Sequence, residues 1–180
     1  MIDVPAGGTL TIGAPCLVLL VGPSGSGKST FAKRVFGPYE VISSDHCRAL
    51  IADSEEDQSV TPQAFELVRY IAQARLEAGR IAVIDATNVH QSARRRNLDL
   101  AEKVGVETVA IALDVSLEEC LARNASRRGR VIPEDAIRSQ RADMDRTLAH
   151  LDGEGFGLVY RVDGPAMDSV SLARRDDAAG

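Results

Sequence analysis

Gly22-Pro-Ser-Gly-Ser-Gly-Lys-Ser29 decides how this chain is read. The spacing is that of a complete phosphate-binding loop, Gly-x-x-x-x-Gly-Lys-Ser. Cys16 to Val21, just before it, is wholly apolar and predicts a buried strand; Thr30 to Phe36, just after it, predicts the first turns of a helix. The glycines allow a tight turn that directs backbone N–H groups inward, and the helix N-terminus adds the positive end of its dipole. Gly22, Ser24, Gly25, Ser26, Gly27, Lys28, Ser29 and Thr30 are therefore the expected nucleotide cradle. Lys28 is expected on the β- and γ-phosphates and Ser29 on Mg2+, so the expected cofactors are ATP (or another NTP) and Mg2+. A flexible Gly/Ser linker would account for neither the Lys-Ser pair nor both flanking elements.

Outward from the loop, the chain alternates between strand and helix signals. Val41–Ser43, Ile81–Asp85, Val106–Leu113 and Gly157–Val162 predict further strands, making about five with the one before the loop. Thr61 predicts an N-cap, Pro62 a first helical residue and Gly79 a helix end. A second helix is expected over Gln91–Val104, closed by Gly105. Ser116 and Glu119 form a capping box that opens a third toward Arg127, and Pro133 opens a fourth that reaches about Leu151. This pattern implies an α/β fold with a central parallel sheet and helices on both faces. Residues 1–15 are expected to be a lead-in, 16–170 the folded domain, and 171–180 a tail or the start of a linker.

The bulk numbers bound the class. A chain of 180 residues with 44% hydrophobic content suits one domain, and its core must be aliphatic because Trp is absent. Three cysteines without metal-type spacing point to a reducing cytoplasm. The apolar run at 16–21 is too short for a signal or membrane helix, so no membrane role is expected. A net charge of −5 excludes a generic nucleic-acid binder, but arginines cluster at Arg94–Arg96 and from Arg123 to Arg141.

Other motifs separate the classes of phosphate-loop protein. A motor or AAA-type ATPase needs an apolar strand ending in Asp-Glu, and here Asp85 is followed by Ala86. The guanine motif of a GTPase and the Ser-Gly-Gly-Gln signature of an ABC protein are also missing. The chain has instead Arg123-Asn-Ala-Ser-Arg127-Arg128-Gly-Arg130 before Pro133, where small P-loop kinases carry an arginine-rich lid. Arginines placed there would stabilise charge on the transferring phosphoryl group and help exclude water. In an open parallel sheet, ligands sit at the carboxyl ends of the strands, which puts Asp45 and Asp85 at the phosphate loop. Asp85 is the second expected metal residue. Asp45 is the expected general base for an alcohol acceptor, with Arg48 one helical turn on. The alternative on spacing alone is that Asp45 is only a helix N-cap, with Arg48 as its surface partner.

These residues resemble a known family, the kinase module of bacterial polynucleotide kinase-phosphatase, an RNA-repair enzyme. The similar segments are Gly22–Phe31, Val41–Arg48 (VISSDHCR), Asp57–Thr61 (DQSVT), Val83–Val89 (VIDATNV) with Ser92-Ala93-Arg94, and Cys120–Arg127 (CLARNASR). The resemblance implies a P-loop kinase fold and phosphorylation of a 5′-OH RNA or DNA end. It implies Asp45 as general base, Arg48 on the phosphate next to the terminal nucleoside, and Arg123 and Arg127 on the nucleotide phosphates. Weaker acceptor contacts are expected from Gln58. The family's longer proteins carry phosphatase and ligase modules after the kinase, so the present sequence reads as one module of such a chain. Two other readings stay open: a small-molecule kinase acting on an alcohol such as a sugar acid, and a nucleotide sensor without catalysis.

Overall fold

A computed structural model of the chain describes residues 1–127 and 131–175. Its centre is β3 (Cys16–Val21), the strand before the phosphate loop, whose six residues are all buried. Alternate residues face opposite ways along a strand. Val18 and Leu20 accordingly join one core with Phe31 and Ala32 of α1 (Lys28–Val35) and with Cys120 of α5 (Leu117–Ala125). Leu17, Leu19 and Val21 join the other core, with Ala64, Val68, Ala72 and Leu76 of α3 (Thr61–Glu77) and Leu98 and Ala101 of α4 (Gln91–Val104). A strand with apolar residues on both faces needs helices on both, and it has them.

Around β3 stand β1 (Ile2–Val4), β4 (Val41–Ser43), β5 (Ala82–Asp85), β6 (Glu107–Asp114) and β7 (Leu158–Asp163). They form a six-stranded sheet in the order β1-β7-β6-β3-β5-β4, with every pairing parallel. The carboxyl ends of β3, β4 and β5 therefore open on one side, where the phosphate loop leaves β3. The expected count of about five strands falls short by β1. The stretch read as a lead-in also supplies β2 (Thr9–Ile12), which pairs in parallel with β8 (Ser171–Arg174), at the start of the expected tail. Three- and four-residue strands are too short to show alternation, and their partners lie at the far end of the sequence. The remainder of that tail, residues 176–180, lies outside the described residues.

Two helices complete the frame: α2 (Ser44–Ala52) and α6 (Glu134–His150). Ser116 caps α5 as read, accepting the Glu119 N–H at 3.2 Å, while the Glu119 carboxylate accepts the Ser116 hydroxyl at 3.3 Å in place of the backbone N–H of a full capping box. At α3 the cap moves to Val60, because a 3₁₀ turn over Gln58–Val60 runs straight into the helix. Among the described residues, no helix is long and apolar enough to cross a membrane.

Candidate active site

The phosphate loop turns because two of its glycines take positive φ, Gly25 at 84° and Gly27 at 89°. A Cβ on Gly25 would lie 2.2 Å from the backbone oxygen of Cys120, so α5 packs directly on the loop. Lys28 opens α1 and folds back, donating to the carbonyls of Gly22 and Pro23, each at 2.8 Å. Burial pushes its ammonium down to about 8, with Asp85 pulling it back up and Arg127 pushing it further down. A buried cation next to inward N–H groups is a strained arrangement that an anion would relieve.

A cleft of about 410 Å³ lies over the loop. Ser24, Gly25, Gly27, Lys28, Ser29 and Thr30 form its floor. Gly22 and Ser26, also expected in the cradle, lie beneath it: Gly22 N–H donates to Thr87 O at 2.9 Å, and Ser26 is fully buried. Asp45, Arg48, Gln58, Asp85, Arg123 and Arg127 all reach the cleft wall, so the structure brings the expected catalytic, acceptor and metal residues to one place. Arg128 and Arg130 of the expected lid lie outside the described residues.

Each wall residue has a local cause. Ser43 caps α2 by accepting the His46 N–H at 3.3 Å, so Asp45 is not the cap but a first-turn residue facing the cleft. Arg48, one turn on, is 5% exposed rather than a surface residue; it pairs with Asp45, and its Nε donates to Glu55 O at 3.0 Å. Asp85 ends β5 and is 6% exposed. Its carboxylate accepts no hydrogen bond from the described residues and lines the same cleft as Ser29. A carboxylate open to the cleft, with a hydroxyl and a phosphate cradle lining the same space, has the chemistry of a Mg2+ site. Arg123 crosses from α5 to donate to Ser26 O at 3.2 Å, steadied by Glu119 at 3.3 Å.

Behind the cleft lies a clamp built on Asn88, Val89 and Arg94, residues of the Val83–Val89 and Ser92-Ala93-Arg94 segments to which the sequence reading gave no role. Arg94, 1% exposed, places Nε and Nη2 on Glu154 at 2.7 and 2.5 Å and donates Nη1 to Asn88 O at 2.7 Å and to Thr147 Oγ1 at 3.2 Å. Thr147 donates in turn to Val89 O at 2.9 Å. Asn88 takes a left-handed φ of 49° and donates to Leu20 O at 2.8 Å, while its Oδ1 has no partner among the described residues. The loop after β5 is thus gripped on one side by α4 and α6 and on the other by the end of β3. Its Ala86 and Thr87 line the cleft.

Ser44, Thr61, Phe65, Ile132 and Gln140 also line the cleft and were not foreseen. The Asp-Ala-Thr-Asn-Val segment flagged the loop of Thr87. The Val41–Arg48 and Asp57–Thr61 segments likewise contained Ser44 and Thr61, without a role in the site, and nothing local marked Phe65, Ile132 or Gln140.

The comparisons with known proteins agree with the fold. A family model described as an AAA domain matches residues 17–151, most of the chain. A chain of the Pnkp1/Rnl/Hen1 RNA repair complex is 25% identical, with a TM-score of 0.66, covering 76% of this chain and 46% of that one. The present chain therefore spans less than half the length of that protein. A putative kinase from Chloroflexus aurantiacus shares the fold at 18% identity and a TM-score of 0.58, covering 83% of this chain and 88% of that one. So does the Mycobacterium tuberculosis APS kinase, solved with AMPPNP and APS, at 16% identity and a TM-score of 0.53, covering 84% and 89%. The match corrects the exclusion of an AAA-type domain drawn from Ala86 after Asp85: the missing Asp-Glu strand end speaks against a motor-type ATPase site and not against the family. The chain belongs to the AAA domain family and is built as a P-loop kinase.

Proposed function

We propose that the protein transfers the γ-phosphate of ATP or another NTP to the 5′-hydroxyl of an RNA or DNA end, with the Asp45–Arg48 pair receiving that end. The observation that carries this reading is Arg48: a guanidinium buried in the cleft wall, one turn from a carboxylate, opposite a phosphate cradle. A base that accepts a hydroxyl proton beside a cation suits an alcohol whose neighbour is an anion. A terminal nucleoside with its 3′ phosphate has both groups. The 25% identity to a chain of an RNA repair complex supports the same reading.

In this scheme the 5′ oxygen attacks the γ-phosphorus while its proton passes to the Asp45 carboxylate. The new P–O bond forms as the bond to the NDP oxygen breaks, and NDP leaves. Arg123 and Arg127, on the wall above the loop, stabilise charge on the transferring group. Ser29 and Asp85 would hold Mg2+, which neutralises phosphate charge when bound.

The test compares acceptors with one γ-labelled NTP: a 5′-OH oligonucleotide, a nucleoside 3′-monophosphate, the free nucleoside and a sugar acid. The first two are expected to be phosphorylated and the free nucleoside to be poor. Arg48→Ala should collapse the preference for the 3′-monophosphate while NTP affinity holds. Equal use of nucleoside and nucleoside 3′-monophosphate, or transfer to the sugar acid alone, would move a small-molecule alcohol into the acceptor's place.

A further inference from the structure

The helix after the lid segment makes one contact to the phosphate loop that the scheme above leaves unused. Gln140, half-buried on α6, lines the cleft, and its Oε1 accepts the Ser24 N–H at 2.7 Å. The α6 residues that hold the helix to the cores are others, Ile137 and Met144, both fully buried. Gln140 is therefore not one of the residues that pack α6 onto the cores. The bond also fixes the amide's orientation. A backbone N–H can only donate, so the oxygen is the end on the loop and the NH2 is the other. That NH2 has no partner among the described residues, and Gln140 faces the cleft where both phosphate groups and the arginines Arg123 and Arg127 would meet.

Position along the loop says which phosphate is concerned. The backbone N–H groups and helix dipole of Gly27 to Thr30, at the start of α1, are those expected on the inner phosphates, with the Lys28 ammonium alone reaching on to the γ-phosphate. Ser24 is at the opposite end, on the stretch that α5 covers at Gly25. Resting on the reading of the loop as an NTP site, we infer that Gln140 donates its amide NH2 to the terminal phosphoryl group and makes the site prefer a nucleoside triphosphate to a diphosphate. A neutral amide suits this place. It adds donors without a further fixed cation beside Lys28, Arg123 and Arg127, and its own carbonyl keeps the loop N–H satisfied before nucleotide arrives. A hydrogen bond to a charged group of this kind corresponds to about a tenfold to hundredfold preference.

Two variants test it. Gln140→Leu removes both ends of the amide. Gln140→Glu keeps an acceptor for Ser24, loses the donors and places a carboxylate against phosphate. The dissociation constants of a non-hydrolysable NTP analogue and of the matching NDP, both with Mg2+, are measured by calorimetry for each protein. The triphosphate preference should fall about tenfold in Gln140→Leu and further in Gln140→Glu, with NDP binding and the melting temperature of Gln140→Leu nearly unchanged. An unchanged preference in both variants overturns the inference, and so does an equal weakening of NTP and NDP, which would make Gln140 a prop for the loop. Wild-type protein that binds neither nucleotide overturns it together with the NTP reading, an outcome distinct from the other two.

Discussion

Arg94 and Arg123 each face a glutamate, yet one is scaffold and the other stands at the site. Arg94 has a side chain 2% exposed against a Glu154 side chain 6% exposed, and its bonds run to the backbone of Asn88 and to Thr147. Arg123 and Glu119 are 40% and 47% exposed, and Arg123 lies over the phosphate loop. Water screens the second pair, so it contributes little to folding and leaves the guanidinium available to a ligand. The first pair is out of water, and removing either partner alone strands a charge. Burial and the identity of the remaining partners separate a structural arginine from a working one, and neither is visible in the residue type.

The sharpest way to break this contrast is at Glu154. Glu154→Ala leaves Arg94 charged and buried, and the expected loss is about 3–5 kcal/mol of stability, read from the denaturation midpoint. A midpoint close to wild type would mean that Arg94 can reach water and that the clamp is not one. The double variant Arg94→Met with Glu154→Leu sharpens the point: it should recover most of the stability, because the desolvation cost leaves with both charges. The bond to Asn88 O stays lost in that variant, so phosphoryl transfer should remain impaired.

Arg123→Ala is the mirror experiment. Its denaturation midpoint should match wild type, while kcat falls about 10²–10³-fold, the size of one lost donor to developing charge. A drop in stability with unchanged turnover per folded molecule would put Arg123 with Arg94.

The smallest effect is that of Lys28, which is both buried and at the site. Its folded pKa of about 8 lies below the ordinary 10.5. Between those values the unfolded chain binds more protons than the folded one, so stability of the free protein rises with pH across about 8 to 10.5. A bound triphosphate favours the protonated form, so nucleotide affinity should weaken by up to about tenfold per unit above pH 8. Calorimetry at pH 9 in buffers of different ionisation heat should read uptake approaching one proton on binding. No uptake at pH 9 would mean that the ammonium is already fully charged in the free protein.

Much of the fold was legible because its signals are short-range. The all-apolar run of β3, the Gly-Lys-Ser turn, the Ser116 cap and Gly105 at the end of α4 each act within a few residues. They appear at the places read for them. The carboxyl-end rule likewise placed Asp45 and Asp85 at the loop. The cap of α2 was less legible, since Ser43 and Asp45 both have side chains able to cap, and only the backbone's course chose Ser43.

By itself, the sequence determined the phosphate loop, the alternation of five strands with helices and the meeting of Asp45, Asp85 and Arg123 around the loop. Tertiary structure decided what depends on partners far away in the chain. β1 pairs with β7, and β2 with β8, across nearly the whole sequence, in strands too short to announce themselves. Arg94 shares the inward face of α4 with Leu98 and Ala101, unlike Arg95 and Arg96, but its ion pair is made by Glu154 and its hydroxyl contact by Thr147, 60 and 53 residues on. Gln140 meets Ser24 across 116 residues. Local backbone chemistry is written in neighbouring residues, whereas burial and the pairing of charges arise only when the sheet closes and brings distant segments out of water together.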